Sequence, residues 1–127
     1  MSGTKKLLEL TKCEAEVMDV IWDRDWVTVN DVVDSIKRDL AYTTVMTTMK
    51  ILEEKKIICR GEKKGRAYTY RANVSREQVR EGMLRMIADR LFGGSTRSLV
   101  LSLLQSDAVS AEDIKAVRQA ADRLGDS

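Results

Sequence analysis

The segment at residues 40–56, LAYTTVMTTMKILEEKK, constrains the fold of this chain more than any other. At about 100° per residue its side chains divide between two helical faces, and one face carries Val45, Met49 and Leu52. Threonine is common on the remaining surface, although β-branching lowers helix propensity and threonine adds no charge. Small hydroxyl side chains would let such a helix approach base edges and phosphates closely in a DNA groove. A solvent-facing helix that tolerates threonine is the competing interpretation.

A basic hairpin is predicted directly after this helix. Beyond Lys56 the pattern changes to two arms rich in β-branched and aromatic residues, at 57–60 and 66–71, on either side of GEKKG. We expect a strand in each arm and a tip that carries Lys63 and Lys64. Phosphate contact by these lysines is favoured over the alternative, in which they only protect a sheet edge from pairing.

Capping boxes predict where the earlier helices start. Thr11 with Glu14 opens one helix, and Thr28 with Asp31 opens a second after a short extended piece at Trp26 and Val27. Together with the threonine-rich helix these form a helix-turn-helix core. Helix followed by a basic hairpin is the pattern of a winged helix-turn-helix domain, which we place at residues 1–74.

Residues 75–127 are predicted to form a second, all-helical unit. Ser75 with Gln78 and Ser110 with Asp113 open its outer helices, and glycines interrupt it at 93–94. Three helices hold little mass for an independent core, yet their apolar stripes are wide. Burial against a second copy is favoured over packing back onto the first unit. The residues expected to form this dimerisation surface are Val79, Met83, Met86, Ile87, Leu91, Leu99, Val100, Leu103, Leu104, Ile114, Val117 and Leu124.

Composition excludes several classes of function. The chain has no histidine, and neither cysteine stands at a metal-site spacing, so we expect no metal site and no cofactor. No glycine-rich phosphate loop or recognisable carboxylate site is present, which argues against an enzyme. No apolar run approaches the roughly 20 residues that span a membrane. The amino terminus lacks the apolar part of a signal peptide, so we expect a mobile arm at residues 1–6 and a cytoplasmic location.

The charge is unevenly distributed. The net charge is only +2. Between residues 9 and 34 the balance is −6, whereas between residues 55 and 71 it is +6. A concentrated basic patch, rather than the total, sets the attraction to a polyanion.

The sequence leaves the roles of four side chains open. Cys13 and Cys59 are interpreted as structural, with redox sensing by Cys59 as the alternative because basic neighbours favour a thiolate. Trp22 continues the apolar stripe of the first helix and is expected in the core. Trp26 lies beyond that helix, where it would pack either under the wing or against a dimer partner.

These segments resemble the penicillinase-repressor family of bacterial transcription factors, typified by BlaI, MecI and CopY. The resemblance extends over about residues 10–124 and is carried by LTKCEAEVMDVIW, LAYTTVMTTMKILEEK, GRAYTYRANVSRE, FGGSTRSLVLSLL and SAEDIKAVR, in that order. It implies a winged-helix domain, a helical dimerisation domain, and a homodimer that represses transcription on a double-stranded dyad operator, typically of the TACA…TGTA type. The residues expected at the DNA, from this resemblance and from the basic hairpin, are Tyr42, Thr43, Thr44, Met46, Thr47, Lys50, Arg60, Lys63, Lys64 and Arg66.

The chain departs from the family pattern at three places. Ser102 and Leu103 stand where β-lactam-responsive members have the asparagine and phenylalanine of the bond that is cut during induction. No cysteine follows Cys59, which argues against the cysteine-rich copper-binding tail of other members. Lys56 replaces a glycine that ends the recognition helix, so it must either adopt a left-handed conformation or extend the helix.

A winged-helix module that binds a protein partner, without operator specificity, is the alternative function, because a fold alone does not define a function. Sequence-selective DNA binding by the full-length dimer would discriminate against this alternative.

Overall fold

The computed structural model describes residues 9–125, which form six helices and one two-stranded hairpin. The expected arm at residues 1–6 lies outside the described residues. This mainly α architecture with a small β-hairpin confirms the predicted fold class. In chain order the elements are α1 (Lys12–Trp22), α2 (Val29–Ser35), α3 (Tyr42–Glu54), β1 (Ile58–Lys64), β2 (Ala67–Ala72), α4 (Arg76–Leu91), α5 (Thr96–Leu104) and α6 (Ala111–Gly125).

Side-chain caps explain where most of these helices begin. At α1 the amide of Glu14 donates to Thr11 Oγ1 at 3.2 Å, and the amide of Thr11 donates to Glu14 Oε1 at 2.8 Å. This reciprocal pair of hydrogen bonds satisfies two amides that have no partner inside the helix. The other predicted boxes have the same reciprocal bonds and are confirmed: Thr28 with Asp31, Ser75 with Gln78, and Ser110 with Asp113.

The first three helices and the hairpin share one apolar core. Trp22 packs partly against it and donates from Nε1 to the carbonyl of Val74 at 2.9 Å, so its expected place in the core is confirmed. The largest fully buried side chains are Val17, Met18, Ile21, Val27, Val32, Val45, Met49, Leu52, Ile57 and Ile58.

The strands extend further toward the hairpin tip than the sequence predicts. Lys63 and Lys64 belong to β1 rather than to a loop, and Lys64 pairs with Ala67 across a two-residue turn. The turn consists of Gly65 and Arg66. Gly65 has a φ of 69°, which a side-chain-bearing residue adopts only at a cost.

Val27 ties the hairpin to the helical core. Its amide donates to the Tyr70 carbonyl at 2.8 Å, and its carbonyl accepts from the Tyr70 amide at 2.7 Å. Since Val27 is buried in the core, this antiparallel bridge adds a third extended segment beside β2. The predicted short extended piece is therefore confirmed at Val27.

The end of α3 is closed by two backbone hydrogen bonds. The Ile57 amide donates to the Leu52 carbonyl at 3.0 Å, and the Lys56 amide donates to the Glu53 carbonyl at 2.9 Å. This is a Schellman motif, and Leu52 and Ile57, the two residues that often make an apolar contact in such a motif, are both buried in the core. Lys56 has a φ of 64°, so of the two expected outcomes the chain adopts the left-handed one.

The described chain divides into two compact units after Met83, later than the expected boundary after residue 74. The physical reason is that the first turns of α4 belong to the amino-terminal unit. Val79 is 4% exposed and lies in its core, and Met83 packs partly against the same core. Arg76, at the start of α4, approaches Asp23 of the residues after α1 to 3.4 Å and Asp19 to 3.7 Å.

The unit that begins at Leu84 buries little of its apolar surface. Among its described residues only Ala88 is buried. The large apolar side chains that this unit leaves exposed are Leu84, Leu91, Val100, Leu101, Leu103, Val117 and Leu124.

No helix within residues 9–125 combines the length and the apolar character that crossing a membrane requires.

Candidate nucleic-acid interface

The helix α3 divides into a buried and an exposed face as its periodicity predicts. Val45 and Leu52 are fully buried and Met49 is 1% exposed. Thr48 is also buried on the inner face. Its hydroxyl remains hydrogen-bonded there, because it donates to the Thr44 carbonyl at 2.8 Å and lies 3.4 Å from Cys13 Sγ. Ile51, at 41% exposure, adds an apolar side chain to the outer surface that the sequence prediction did not include. The predicted outer residues are all exposed: Tyr42, Thr43, Thr44, Met46, Thr47 and Lys50.

The amino-terminal end of α3 has no side-chain cap. Ala41 occupies the capping position and has no side-chain oxygen to accept from the first-turn amides. Those amides therefore have no side-chain cap, and the helix start carries a partial positive charge next to Tyr42 and Thr43. Such an end can donate hydrogen bonds to a phosphate group.

The exposed ring of Tyr68 contacts two basic residues of the hairpin, Arg60 and Lys63. Tyr68 is 40% exposed. The Arg60 guanidinium carbon lies 4.3 Å and the Lys63 ammonium 5.0 Å from the centroid of its ring, both within cation–π range. Arg60 also lies 3.5 Å from a carboxylate oxygen of Glu53, which connects the hairpin to the last turn of α3. The sequence prediction missed this role of Tyr68; the cross-strand pairing of Tyr68 with Lys63 is the signal that reveals it.

The remaining predicted basic residues are both exposed, Lys64 as the last residue of β1 and Arg66 in the turn that follows it. Lys64 also contributes to the electrostatics of α2. The hydrogen bond from the Thr28 amide, followed by the Thr28 hydroxyl and the charge of Lys64, lowers the pKa of Asp31 despite some burial. The charge of Lys64, at the end of β1, is therefore felt at the start of α2.

Tyr70 lies on the inner part of the hairpin and is half-buried. Burial first, and then the charge of Glu53, raises the pKa of its hydroxyl. The ring packs against the amino-terminal core, so Tyr70 supports the hairpin and keeps its proton at neutral pH.

A cavity of about 420 Å³ lies apart from these surfaces. It is bordered by α1, by the residues that follow α2, and by Arg76, which interacts with Asp19 and Asp23. It contains none of the residues expected at the DNA. Among the described residues no three cysteine or acidic side chains are grouped closely enough to hold a metal ion.

The residues expected at a dimer surface differ in their exposure. Val79 is buried in the amino-terminal core, so it is not available to a second copy. Ser102 and Leu103, which the sequence resemblance aligns with a cleavage position, are both exposed inside α5. Half-buried members of the expected surface are Met83, Met86, Ile87, Leu99, Leu104 and Ile114, and the exposed members are Leu91, Val100, Leu103, Val117 and Leu124.

The cysteines are free and half-buried. The structural interpretation of Cys13 agrees with its place beside Thr48 on the inner side of α3.

Comparison with solved structures supports the winged-helix fold. A possible transcriptional regulator from Methanosarcina mazei Go1 superposes with a TM-score of 0.50 at 27% identity, over 83% of this chain and 88% of that one. MepR, a transcription regulator of the Staphylococcus aureus multidrug efflux pump MepA, superposes with a TM-score of 0.51. At 17% identity over 97% of this chain and 87% of MepR, the second similarity concerns the fold alone.

Sequence comparison gives relatives along nearly the whole chain. The penicillinase repressor of Bacillus licheniformis is 28% identical over 116 residues, 91% of each chain. The methicillin resistance regulatory protein MecI of Mammaliicoccus sciuri is 25% identical over 115 residues, 89% of this chain and 93% of MecI. The family model for penicillinase repressors matches residues 10–123. The chain therefore belongs to the penicillinase repressor family, whose members are transcriptional regulators and not enzymes.

Proposed function

We propose that this chain is a homodimeric repressor that binds a double-stranded dyad operator, with half-sites of the TACA…TGTA type. The observation that carries the proposal is the exposed outer face of α3, which presents threonines and an uncapped helix start beside a basic hairpin. The operator type comes from the family resemblance, and the names of the relatives support repression.

In this proposal α3 is the recognition helix. Thr43, Met46 and Thr47 extend from one side of it into solvent, where short hydroxyl and apolar groups suit base edges and thymine methyl groups. Lys50 and the first-turn amides would contact phosphates and set the register of the helix in the groove.

The hairpin is the wing in this proposal and supplies contacts that do not depend on base sequence. Lys63, Lys64 and Arg66 would neutralise phosphates beside the groove. Tyr68 favours this arrangement because its ring holds Arg60 and Lys63 close together at one surface. Less side-chain freedom is then lost when the cations bind.

Dimerisation through the carboxy-terminal unit would match the twofold symmetry of a dyad operator. The unit exposes many large apolar side chains, with Leu91 at 74% and Leu124 at 76%. Burial of such a surface against a second copy removes apolar area from water and stabilises the pair. The proposed interface uses the exposed members of α4, α5 and α6 and excludes Val79, which the amino-terminal core already buries.

The experiment is a fluorescence-anisotropy titration of full-length protein against a labelled TACA…TGTA dyad duplex and a scrambled duplex, across a series of salt concentrations. We expect saturation at two chains per duplex and affinity that falls steeply with salt. The scrambled duplex should bind about a hundredfold more weakly.

Equal, weak binding to both duplexes would contradict recognition of a TACA…TGTA operator. Two explanations would then be open, a different operator sequence or the protein-interaction module. Enrichment of genomic fragments on the immobilised protein would then separate an unrecognised operator sequence from that second function.

A further inference from the structure

Trp26 lies directly against the backbone of the wing at Gly61. A Cβ atom at Gly61 would be 2.8 Å from Cη2 and 2.9 Å from Cε3 of the indole, and closer still to Cζ3. These distances are shorter than carbon atoms tolerate, so this approach requires glycine. Of the two locations left open by the sequence, Trp26 occupies the one at the wing.

The contact falls where the wing strand is irregular. The pairing register of β1 shifts between Arg60 and Lys63, which makes a β-bulge that includes Gly61. A bulge bends its strand and increases the local twist, and thereby changes the direction in which the following residues point. The following residues here are Lys63 and Lys64.

The indole approaches this bulge from a well-anchored position. Trp26 precedes Val27, whose two hydrogen bonds with Tyr70 attach it beside β2. From there the ring reaches across the sheet to Gly61 in β1. The Arg71 guanidinium carbon lies 5.2 Å from the centroid of the ring. The indole thus connects the third extended segment to both strands of the hairpin.

We propose that Trp26 is a positioning residue for DNA binding: its ring, seated on Gly61, fixes the direction of the wing tip and so presents Lys63 and Lys64 to phosphates. This inference rests on the proposed function. An isolated two-stranded hairpin is only marginally stable, so a wing without this support would move relative to α3. Preorganisation improves binding by lowering the ordering cost that association requires.

The first test compares Trp26→Leu with the unsubstituted protein on the dyad and scrambled duplexes across the salt series. We expect about tenfold weaker binding to both duplexes and a salt slope shallower by about one, equivalent to the loss of one phosphate contact. Trp26→Phe, which keeps an aromatic ring, should lie between the two proteins.

A double-mutant cycle distinguishes positioning from general destabilisation. In a Lys63→Ala/Lys64→Ala background the wing cations are absent, so Trp26→Leu should weaken binding by less than about twofold more. If Trp26→Leu instead causes the same tenfold loss in that background, its effect does not pass through the wing lysines and the inference is wrong.

Gly61→Ala tests the contact from its other side. It should weaken binding much as Trp26→Leu does, because the added Cβ displaces the ring. In a Trp26→Leu background Gly61→Ala should have little further effect on affinity. Gly125→Ala is the matched control, because a Cβ at that position meets no atom within 4 Å, and it should bind like the unsubstituted protein.

Hydrogen exchange of the free protein tests the inference without DNA. Trp26→Leu should accelerate exchange of the β1 and β2 amides and leave α1 protected. Unchanged exchange in the hairpin would overturn the positioning role. If the unsubstituted protein binds neither duplex, the proposed function is refuted, and with it the phosphate role of Lys63 and Lys64. Faster hairpin exchange in Trp26→Leu would still show that the indole supports the wing.

Discussion

Lys55 Nζ lies 2.9 Å from Glu14 Oε2 and joins the carboxy-terminal end of α3 to the first turn of α1. Glu14 is only 3% exposed and at the same time accepts the Thr11 amide that completes the cap of α1. Burial raises the pKa of Glu14, but the hydrogen bond from Thr11 and the hydrogen bond and charge of Lys55 outweigh it, so the pKa lies below 4.5. The carboxylate thus links the orientation of α3 to the start of α1.

Glu14 should make the free energy of unfolding depend on pH in the acidic range. Because its pKa is lower in the folded than in the unfolded protein, its contribution is present above about 4.5 and is lost as pH falls through the folded value. Glu14→Gln, which can still cap, should cost about 1–2 kcal/mol at neutral pH and flatten the decline below about pH 5. Urea unfolding across the pH range measures both effects.

Glu54→Gln is the control for this change, because it removes an exposed carboxylate from the same end of α3. It should keep the original steepness of the pH dependence. If Glu14→Gln and the unsubstituted protein lose stability in parallel on acidification, the link between Glu14 and Lys55 is not the source of the effect.

Lys56→Gly should stabilise the protein by about 1 kcal/mol, because glycine adopts the left-handed conformation without the strain that a Cβ introduces. Chemical denaturation would show a higher midpoint with an unchanged slope. Lys56→Ala removes the same charge but keeps the Cβ, so it should give no such gain. Equal stabilisation by the two variants would assign the effect to charge instead of backbone conformation.

Lys63→Ala with Lys64→Ala should weaken binding to operator and random DNA by similar factors. Since phosphate contacts release counterions, the salt slope should become shallower by about one to two units. Anisotropy titrations on both duplexes measure this. Lys115→Ala, which removes one positive charge from α6, should leave the slope unchanged. An unchanged salt slope in the double variant would mean that the wing does not contact DNA phosphates.

Thr47 and Thr48 are neighbours in α3 with opposite surroundings, which makes a matched pair of substitutions. Thr47 is exposed, so Thr47→Ala should cost about 1 kcal/mol on the operator and much less on random DNA. Thr48 is buried against Cys13, so Thr48→Ala should lower stability and leave the ratio of operator to random affinity unchanged. Equal losses on both duplexes for Thr47→Ala would argue against base reading.

The sequence predicts the faces and starts of the amino-terminal helices well because both depend on local spacing. Val45 and Met49 are buried as the helical period requires, and Thr11 makes its capping bonds with a residue only three positions away. At Lys56 the sequence leaves two local outcomes, a left-handed residue or a longer helix, and the structure has the first.

The features that the sequence did not decide depend on distant partners. Val79 belongs to an apolar stripe, but the stripe does not reveal whether the core or a second copy buries it. The extent of the strands depends on the bulge at Gly61 and the turn at Gly65, which are backbone conformations that a residue pattern indicates only weakly. The location of Trp26 depends on its contact with Gly61 on another strand, which local spacing does not indicate.

Leu103→Asp should convert the proposed dimer to a monomer. Leu103 is 51% exposed, so the charge disturbs no core of the single chain, but it would have to be buried at the interface without a partner. Sedimentation velocity should show half the mass, and operator affinity should fall by at least about a hundredfold because two half-sites no longer act together. Ser98→Asp places the same charge in the first turn of α5, where the helix dipole favours it, and should remain dimeric. A Leu103→Asp protein that stays dimeric at micromolar concentration would place the interface on another face.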